Sequence, residues 1–416
     1  MRVLVLGAGV VGTAAAYFLN EAGHEVTVVE RQAGAGLETS FANGGIVGAY
    51  SSRPWAHPEV PRMLIKWFGR EDAPYLFRLR PDLAQWRWAV SFLRHCTRAH
   101  FERSQQVSLR LSTYSYECLK ALREKEGIAY DQRAEGVLHL HRDTASLDAS
   151  YAYETRMADT SFHPEQLDRD QMLAVEPALQ QTADQFAGAI YFRNDESGDA
   201  HKFTAGLAAA AAANGVTFRF GETVRRLSGN RRRVTGAETD KGAIEADAVV
   251  MSLASYSPRF LKRLGLRVPI YPLKGYSVTI PTEGYNGAPT RAIHDGHRRI
   301  VMSRLGDRLR CAGTAELDGH NVTIRADRAR ATLDAAMAVF PSCGDRTKAE
   351  RWIGFRPMTP DCLPIIGKTR VPGLYLDTGH GSTGWTYSSG SGRIIADIIS
   401  SREPEIDMTG MRPDRF

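Results

Sequence analysis

The chain has 416 residues, 43% hydrophobic and 24% charged, a make-up that fits a globular protein large enough for two domains. No apolar run reaches the roughly 18 residues a membrane helix needs, and an excess of 53 basic over 47 acidic residues is too thin and dispersed to mark a nucleic-acid binder. Cys96, Cys118, Cys311, Cys343 and Cys362 are scattered with no C-x-x-C, which predicts reduced thiols in a cytosolic setting, neither a disulfide frame nor a metal site.

The chain opens with "MRVLVLGAGVVGTAAAYFLNEAGHEVTVVE". The apolar run Val3 to Leu6 predicts a buried strand. It leads into Gly7-Ala8-Gly9-Val10-Val11-Gly12, then an alanine-rich helix to Asn20, a stop at Gly23 and a second strand ending at Glu30. In such a βαβ start Gly7 permits the tight turn, Gly9 lets backbone reach a pyrophosphate, and Gly12 lets helix pack on strand. Glu30 stands where an acid meets a ribose hydroxyl, which incidental glycines in a buried strand would not explain. The glycines interrupt the apolar stretch, so it is not expected to be a secretory leader.

Residues 51 to 81 are rich in proline and aromatics, as in a long packed excursion, and residues 82 to 126 carry a helical apolar stripe. "GVLHLHRD" (136 to 143), "GAIYFRND" (188 to 195) and "YPLKGYSVTI" (271 to 280) alternate like strands. Between the last two, a helix (203 to 214), short strands and the apolar run 247 to 255 read as a return to the nucleotide domain. "VRRLSGNRRRV" (224 to 234) reads as a solvated hairpin tip, with weak attraction to anionic lipid left open. Residues 269 to 349 are strand-rich. There, the Asp-Gly between His294 and His297 and the lack of further ligands argue against a metal pair. The domains therefore interleave: 1–81, 200–268 and 351–416 are assigned to the nucleotide domain, 82–199 and 269–350 to a second domain.

The closing "DTGHGSTGWTYSSGSGRIIADII" (377 to 399) combines a bare turn at Gly379, Gly381 and Gly384 with a helix marked by Ile394/Ile395 and Ile398/Ile399. A glycine turn feeding a helix start collects free N–H groups, although such turns also merely join elements.

Taken together, "VLGAGVVG" with Glu30, "RQAGAGLETSFANGG", "LAVEPAL", "SGDAHKFT", "YPLKGYSVTI", "GFRPMTPDCLPIIG" and the closing stretch resemble the FAD-dependent oxidoreductases of the D-amino acid oxidase type. The likeness is strongest to their bacterial D-amino acid dehydrogenase small-subunit branch. It implies an α/β and α+β protein, in which a Rossmann-like FAD-binding domain interleaves with an antiparallel-sheet substrate domain. It also implies non-covalent FAD, with the ADP half on the amino-terminal fingerprint. Arg31, Thr39, Ser40 and Asn43-Gly44-Gly45 would line the ribityl and flavin-ring side, Val224 would lend backbone at the adenine end, and Gly379, Gly381, Ser382, Thr383 and Gly384 would close around the isoalloxazine.

The implied reaction is oxidative deamination of a D-amino acid by hydride transfer from the α-carbon to flavin, with electrons passed to a quinone-type acceptor. The same likeness implies a cytoplasmic protein, with peripheral contact at the inner face of the cytoplasmic membrane left open. No acid or base is nominated, because a neutral amine can give up hydride unaided. Arg356 in "GFRPMTPD" is the candidate clamp for the α-carboxylate, against a structural ion pair with Asp361. Tyr276 is a candidate hydroxyl donor, against core packing, and His380 a group that orients substrate or caps the turn. Departures such as Cys362 leave glycine, sarcosine, D-hydroxyproline or opine oxidation open. An NAD-dependent dehydrogenase would leave "GFRPMTPD" and the third return unexplained, and dispersed charge argues against a non-catalytic binder of nucleic acid or lipid.

Overall fold

The strand Arg2–Leu6 lies inside a six-stranded sheet because Val3, Leu4, Val5 and Leu6 are all buried and need cover on both faces. The computed structural model describes residues 1–67, 69–71, 73–157 and 163–416. The sheet order is Ile365–Lys368, Leu374–Thr378, Ala248–Met251, Arg2–Leu6, Glu25–Glu30, Thr217–Phe220. Every neighbouring pair is parallel except the first, which is antiparallel. Three sequence-distant parts of the chain thus share one sheet, as the interleaved reading expects.

Helix Val10–Glu21 follows the opening strand, and the last helix, Gly384–Ile399, packs beside it. That contact explains part of the bare closing stretch. A Cβ at Gly392 would stand 2.7 Å from the Ala14 carbonyl carbon, and one at Gly390 would stand 2.8 Å from Ser115 Cα. "SSGSG" is therefore helix, kept small so that three helices approach closely, and the turn is confined to the residues before Gly384. The basic hairpin forms as expected, Val224–Asn230 against Arg233–Thr239, with Arg231 and Arg232 exposed at its tip.

A nine-stranded, mostly antiparallel sheet makes the second layer. Its order is Glu350–Met358, Tyr271–Pro281, Arg308–Leu317, Ile300–Leu305, Ala292–Asp295, Val137–His141, Gly188–Phe192, Glu165–Asp168, with Tyr75–Phe77 added beside Arg308–Leu317. Helix Ala326–Val339 covers it, placing Leu333, Ala336 and Val339 in one core with Val278, Ile280 and Cys311. Reading residues 269 to 349 as strands overlooked this helix, although its apolar residues recur three to four apart.

Three expected boundaries move, each because sheet or core membership is set by partners remote in sequence. Tyr75–Phe77 already belongs to the nine-stranded sheet, so the second domain is entered before residue 82. Helix Arg98–Glu126, inside the segment 82–199, instead buries Val107, Leu111 and Leu119 in the core of Val10–Glu21 and Gly384–Ile399. Strand Glu350–Met358 pairs along Tyr271–Pro281, so the final return begins after Met358 rather than at 351. Within the excursion 51 to 81, residues 68 and 72 lie outside the described residues. Among the described residues no helix is long and apolar enough to cross a membrane, and no group of side chains could hold a metal ion.

Candidate active site

A single cavity of about 890 Å3 runs from the first glycine turn to the face of the nine-stranded sheet. At the sheet end of the fingerprint, Gly7 has φ 101° and a Cβ there would meet the Ser252 carbonyl oxygen at 2.8 Å. A Cβ at Gly12 would stand 2.0 Å from the Gly7 oxygen. These two glycines hold strand and helix together. Gly9 differs: a Cβ there would meet only Ser40 Oγ, at 3.7 Å, because its front is cavity. The Ala8 amide donates to Glu30 Oε2 (2.9 Å) and the Val10 amide to Ser40 Oγ (3.1 Å). The Val11 and Gly12 amides make no hydrogen bond to a described group and lie at the helix start, an arrangement suited to a phosphate. Burial raises the pKa of Glu30, whose Oε1 also accepts from the Gln32 amide (2.8 Å).

The other residues expected at a flavin line the same cavity. Arg31 is paired with Glu38 and lies 4.3 Å from the Tyr256 ring centre. Thr39 Oγ1 donates to the Phe355 carbonyl (3.0 Å), and the Gly45 amide donates to Asn43 Oδ1 (3.0 Å). A Cβ at Gly44 would meet Val301 Cγ2 at 2.5 Å. Val224 lines the cavity near Glu222, and Gly379, Gly381, Ser382, Thr383 and Gly384 line it ahead of the last helix. Seven buried polar atoms of its lining residues accept or donate no hydrogen bond to a described group: the Tyr153 hydroxyl, Ser252 Oγ, Ser277 Oγ, Thr314 Oγ1, Trp385 Nε1 and both carboxylate oxygens of Asp377, which meets only the His380 ring in an ion-pair contact (3.3 Å). Free amides at one end and orphaned polar atoms further along fit FAD, the cofactor that the resemblance implies.

Arg356 stands at the far end. It sits opposite Leu273 in the sheet, and the bare Cα of Gly275 makes room for it, since a Cβ there would lie 2.2 Å from Arg356 Nη1. Nη1 donates to the Thr314 carbonyl (3.1 Å), and the guanidinium carbon lies 5.2 Å from the Trp55 ring centre. No carboxylate among the described residues pairs with it. Asp361 instead pairs with Arg415 (2.8 Å), which sets the structural ion pair aside. Burial pushes the Arg356 pKa down to about 10, so it remains a cation at neutral pH.

Beside it lie residues the sequence did not single out. The Tyr75 ring lies tilted with its centre 5.4 Å from that of Trp55, and Arg299 lies 5.8 Å from the Tyr75 ring centre. His139 and His294, on paired strands, have ring centres 4.5 Å apart. Burial, with Arg53 and Arg299 nearby, pushes His294 down to about 4. The sequence offered only weak signals here: an aromatic-rich excursion, and a histidine weighed solely as a metal ligand.

Two candidates, Tyr276 and His380, also border the cavity, but their polar atoms are engaged with other side chains. The Tyr276 side chain is 1% exposed and its hydroxyl donates to Glu316 Oε2 (2.9 Å), which favours core packing over contact with substrate. His380 is buried with Nε2 3.2 Å from Ser391 Oγ and 3.3 Å from Asp377, tying the turn to the last helix. Cys362 is buried away from the cavity, and burial raises its thiol pKa to about 12.

Comparison with known proteins agrees with this geometry. The chain is 48% identical to a D-amino acid dehydrogenase of Paramagnetospirillum magneticum, covering all of this chain and 99% of that one. It is 45% identical to a D-amino acid dehydrogenase of Sinorhizobium medicae, with full coverage of both. Among solved structures, glycine oxidase from Geobacillus kaustophilus superposes with a TM-score of 0.74 at 24% identity, covering 100% and 99% of the two chains, a likeness of fold. The family described as FAD dependent oxidoreductase matches residues 2–398, and the chain belongs to that family.

Proposed function

We propose that the chain is an FAD-dependent dehydrogenase of D-amino acids. The α-carbon gives up a hydride and the amine a proton, and the resulting imine is hydrolysed by water to a 2-oxo acid and ammonia. The observation that carries this reading is Arg356, a cation without a counter-ion among the described residues, on the wall of the cavity that also holds the free amides of Val11 and Gly12. FAD, when bound, supplies the hydride acceptor. Arg356 meets the α-carboxylate through its planar fork. The Thr314 carbonyl fixes one arm of that fork, and Gly275 leaves space for it. Trp55 and Tyr75 wall the site, so that substrate is held in one orientation. No side chain is required as general base, because the amine reacts neutral.

Gly7 to Gly12 with Glu30 are proposed to hold the ADP half. Arg31, Thr39, Ser40, Asn43 to Gly45, Val224 and Gly379 to Gly384 are proposed to hold the remainder, all without a covalent bond. Acid precipitation then releases the yellow colour into the supernatant, and colour kept in the pellet overturns the non-covalent claim.

The electron acceptor is proposed to be a quinone-type carrier, a reading supported by relatives that are dehydrogenases by name. Contact with an anionic membrane surface would use the exposed basic hairpin around Arg231 and Arg232. Under anaerobic conditions D-alanine should bleach the flavin and L-alanine should not. Reoxidation by a short-chain quinone should outpace reoxidation by air. Bleaching by the L-amino acid alone overturns the stereochemical reading, and rapid peroxide release in air overturns the dehydrogenase reading.

A further inference from the structure

Of three arginines at the far end of the cavity, only one has its charge answered. Arg53 is paired with Glu154 and reaches Ser150 Oγ (3.2 Å), whereas neither Arg356 nor Arg299 meets a carboxylate among the described residues. The α-carboxylate of a substrate accounts for one of these two cations. The second is left over.

Arg299 is also held there at a conformational cost. It has φ 57°, a left-handed backbone that arginine seldom adopts, and its carbonyl fills the space left by Gly313, whose Cβ would lie 2.9 Å from that oxygen. Its neighbour Arg298 turns the other way, pairing with Asp295 (2.9 Å) and Gln185 (3.0 Å). The turn thus directs one arginine into a network and the other into the cavity, where, among the described residues, only the Tyr75 ring and Met63 sulfur meet it. His139 and His294 line the same end, and neither ring makes a hydrogen bond to a described protein group. As neutral imidazoles each offers one N–H. Arg356, Trp55, Tyr75 and Arg299 follow one another along the cavity wall at spacings of 5.2, 5.4 and 5.8 Å, so both cations face the same cavity.

We infer that Arg299, with the N–H groups of His139 and His294, forms a second anion subsite that takes a side-chain carboxylate, so that the favoured substrates are amino acids bearing two carboxylates. This rests on the reading of Arg356 as the α-carboxylate clamp. A charge facing Arg299 and two imidazole donors would gain charge-assisted hydrogen bonds that a methyl side chain cannot make.

The test uses the FAD-loaded protein and ligands that cannot be oxidised. Glutarate and succinate are compared with butyrate and propionate by the shift each causes in the flavin absorption. Dicarboxylates should bind at least about tenfold more tightly than the monocarboxylates of similar length. Arg299→Asn removes the charge with a residue that tolerates the left-handed backbone, and should erase the difference. Arg299→Lys should retain part of it. The ratio of kcat/KM for D-glutamate to that for D-alanine should fall about tenfold or more in Arg299→Asn. Equal binding of both ligand classes, or an advantage that survives Arg299→Asn, overturns the subsite. The two readings fail separately. Bleaching by D-alanine without a dicarboxylate advantage refutes the subsite alone, and a dicarboxylate advantage in a protein that no D-amino acid bleaches refutes the oxidation reading while supporting the subsite.

Discussion

The two ends of the cavity are built by opposite means. The end proposed to take the phosphates comes from Gly7 to Gly12 and Glu30, all within one βαβ start, and offers mainly backbone: two unbonded amides and a bare Cα at Gly9. The end proposed to take the amine is assembled from Trp55, Tyr75, His139, His294, Arg299 and Arg356, side chains carried by separate strands and loops. A phosphate is the same in every dinucleotide, so a rigid local turn suffices for it. A substrate varies, and side chains brought together by tertiary structure can vary with it. The phosphate end should therefore fail when a Cβ is added, and the amine end when a charge is removed.

The largest effect expected is from Gly9→Val. Its Cβ would meet nothing closer than Ser40 Oγ at 3.7 Å, and its backbone (φ −68°, ψ 174°) suits valine, so the protein should fold. The added methyls would occupy the front of the Val11 and Gly12 amides, and the variant should purify colourless with native circular dichroism. Gly12→Ala should instead lose the fold, because its Cβ would lie 2.0 Å from a backbone oxygen. A yellow Gly9→Val protein with stoichiometric FAD would break the assignment of this end.

At the amine end, Arg356→Ala removes a charge-assisted contact worth roughly 1.5–3 kcal/mol. Flavin reduction at low substrate should slow by about one to two powers of ten, with FAD content and Tm little changed. Arg356→Lys should recover only part, since an ammonium cannot form the planar fork. Gly275→Ala is a finer cut. Its Cβ would stand 2.2 Å from Arg356 Nη1, the far end of a flexible side chain that can yield. KM should rise by about threefold to tenfold, below the full loss of the contact, while the strand stays stable. Unchanged kinetics in Gly275→Ala would show that the position of the guanidinium, as distinct from its presence, does not matter.

The same contrast sets what could be read from the sequence. The fingerprint, the interleaving and the arginine of "GFRPMTPD" lie in local patterns whose physics needs only a few neighbours. The partners of that arginine do not. Thr314 is 42 residues away, and Trp55 is reached only because the excursion from Ser51 folds back over the sheet. Arg299 faces the cavity while Arg298 pairs outward, a choice made by one left-handed residue that composition cannot reveal. Tyr276 shows the converse. In "YPLKGYSVTI" the strand itself was legible, but the residue that receives the tyrosine hydroxyl, Glu316, lies on a strand that the local pattern could not pair with it.

Tyr276→Phe gives the smallest effect and the sharpest check on where the amine end stops. Tyr276 shares Glu316 with Lys274 Nζ (3.0 Å) and Arg78 Nε (3.0 Å), inside the sheet where Lys274 and Glu316 are both fully buried. Removing the hydroxyl takes one donor from a carboxylate that keeps three cations, Arg325 Nε lying 3.7 Å away as well, so the cost should sit near the lower end of a buried hydrogen bond, about 0.5–1.5 kcal/mol. In a chain of this size that lowers Tm by roughly 1–2 °C. Because the hydroxyl points into this network, kcat/KM should change by less than about twofold. A loss of tenfold or more in flavin reduction at unchanged Tm would mean that Tyr276 serves the substrate after all, and that the boundary between the packed sheet and the amine end lies one side chain deeper than its hydrogen bonds indicate.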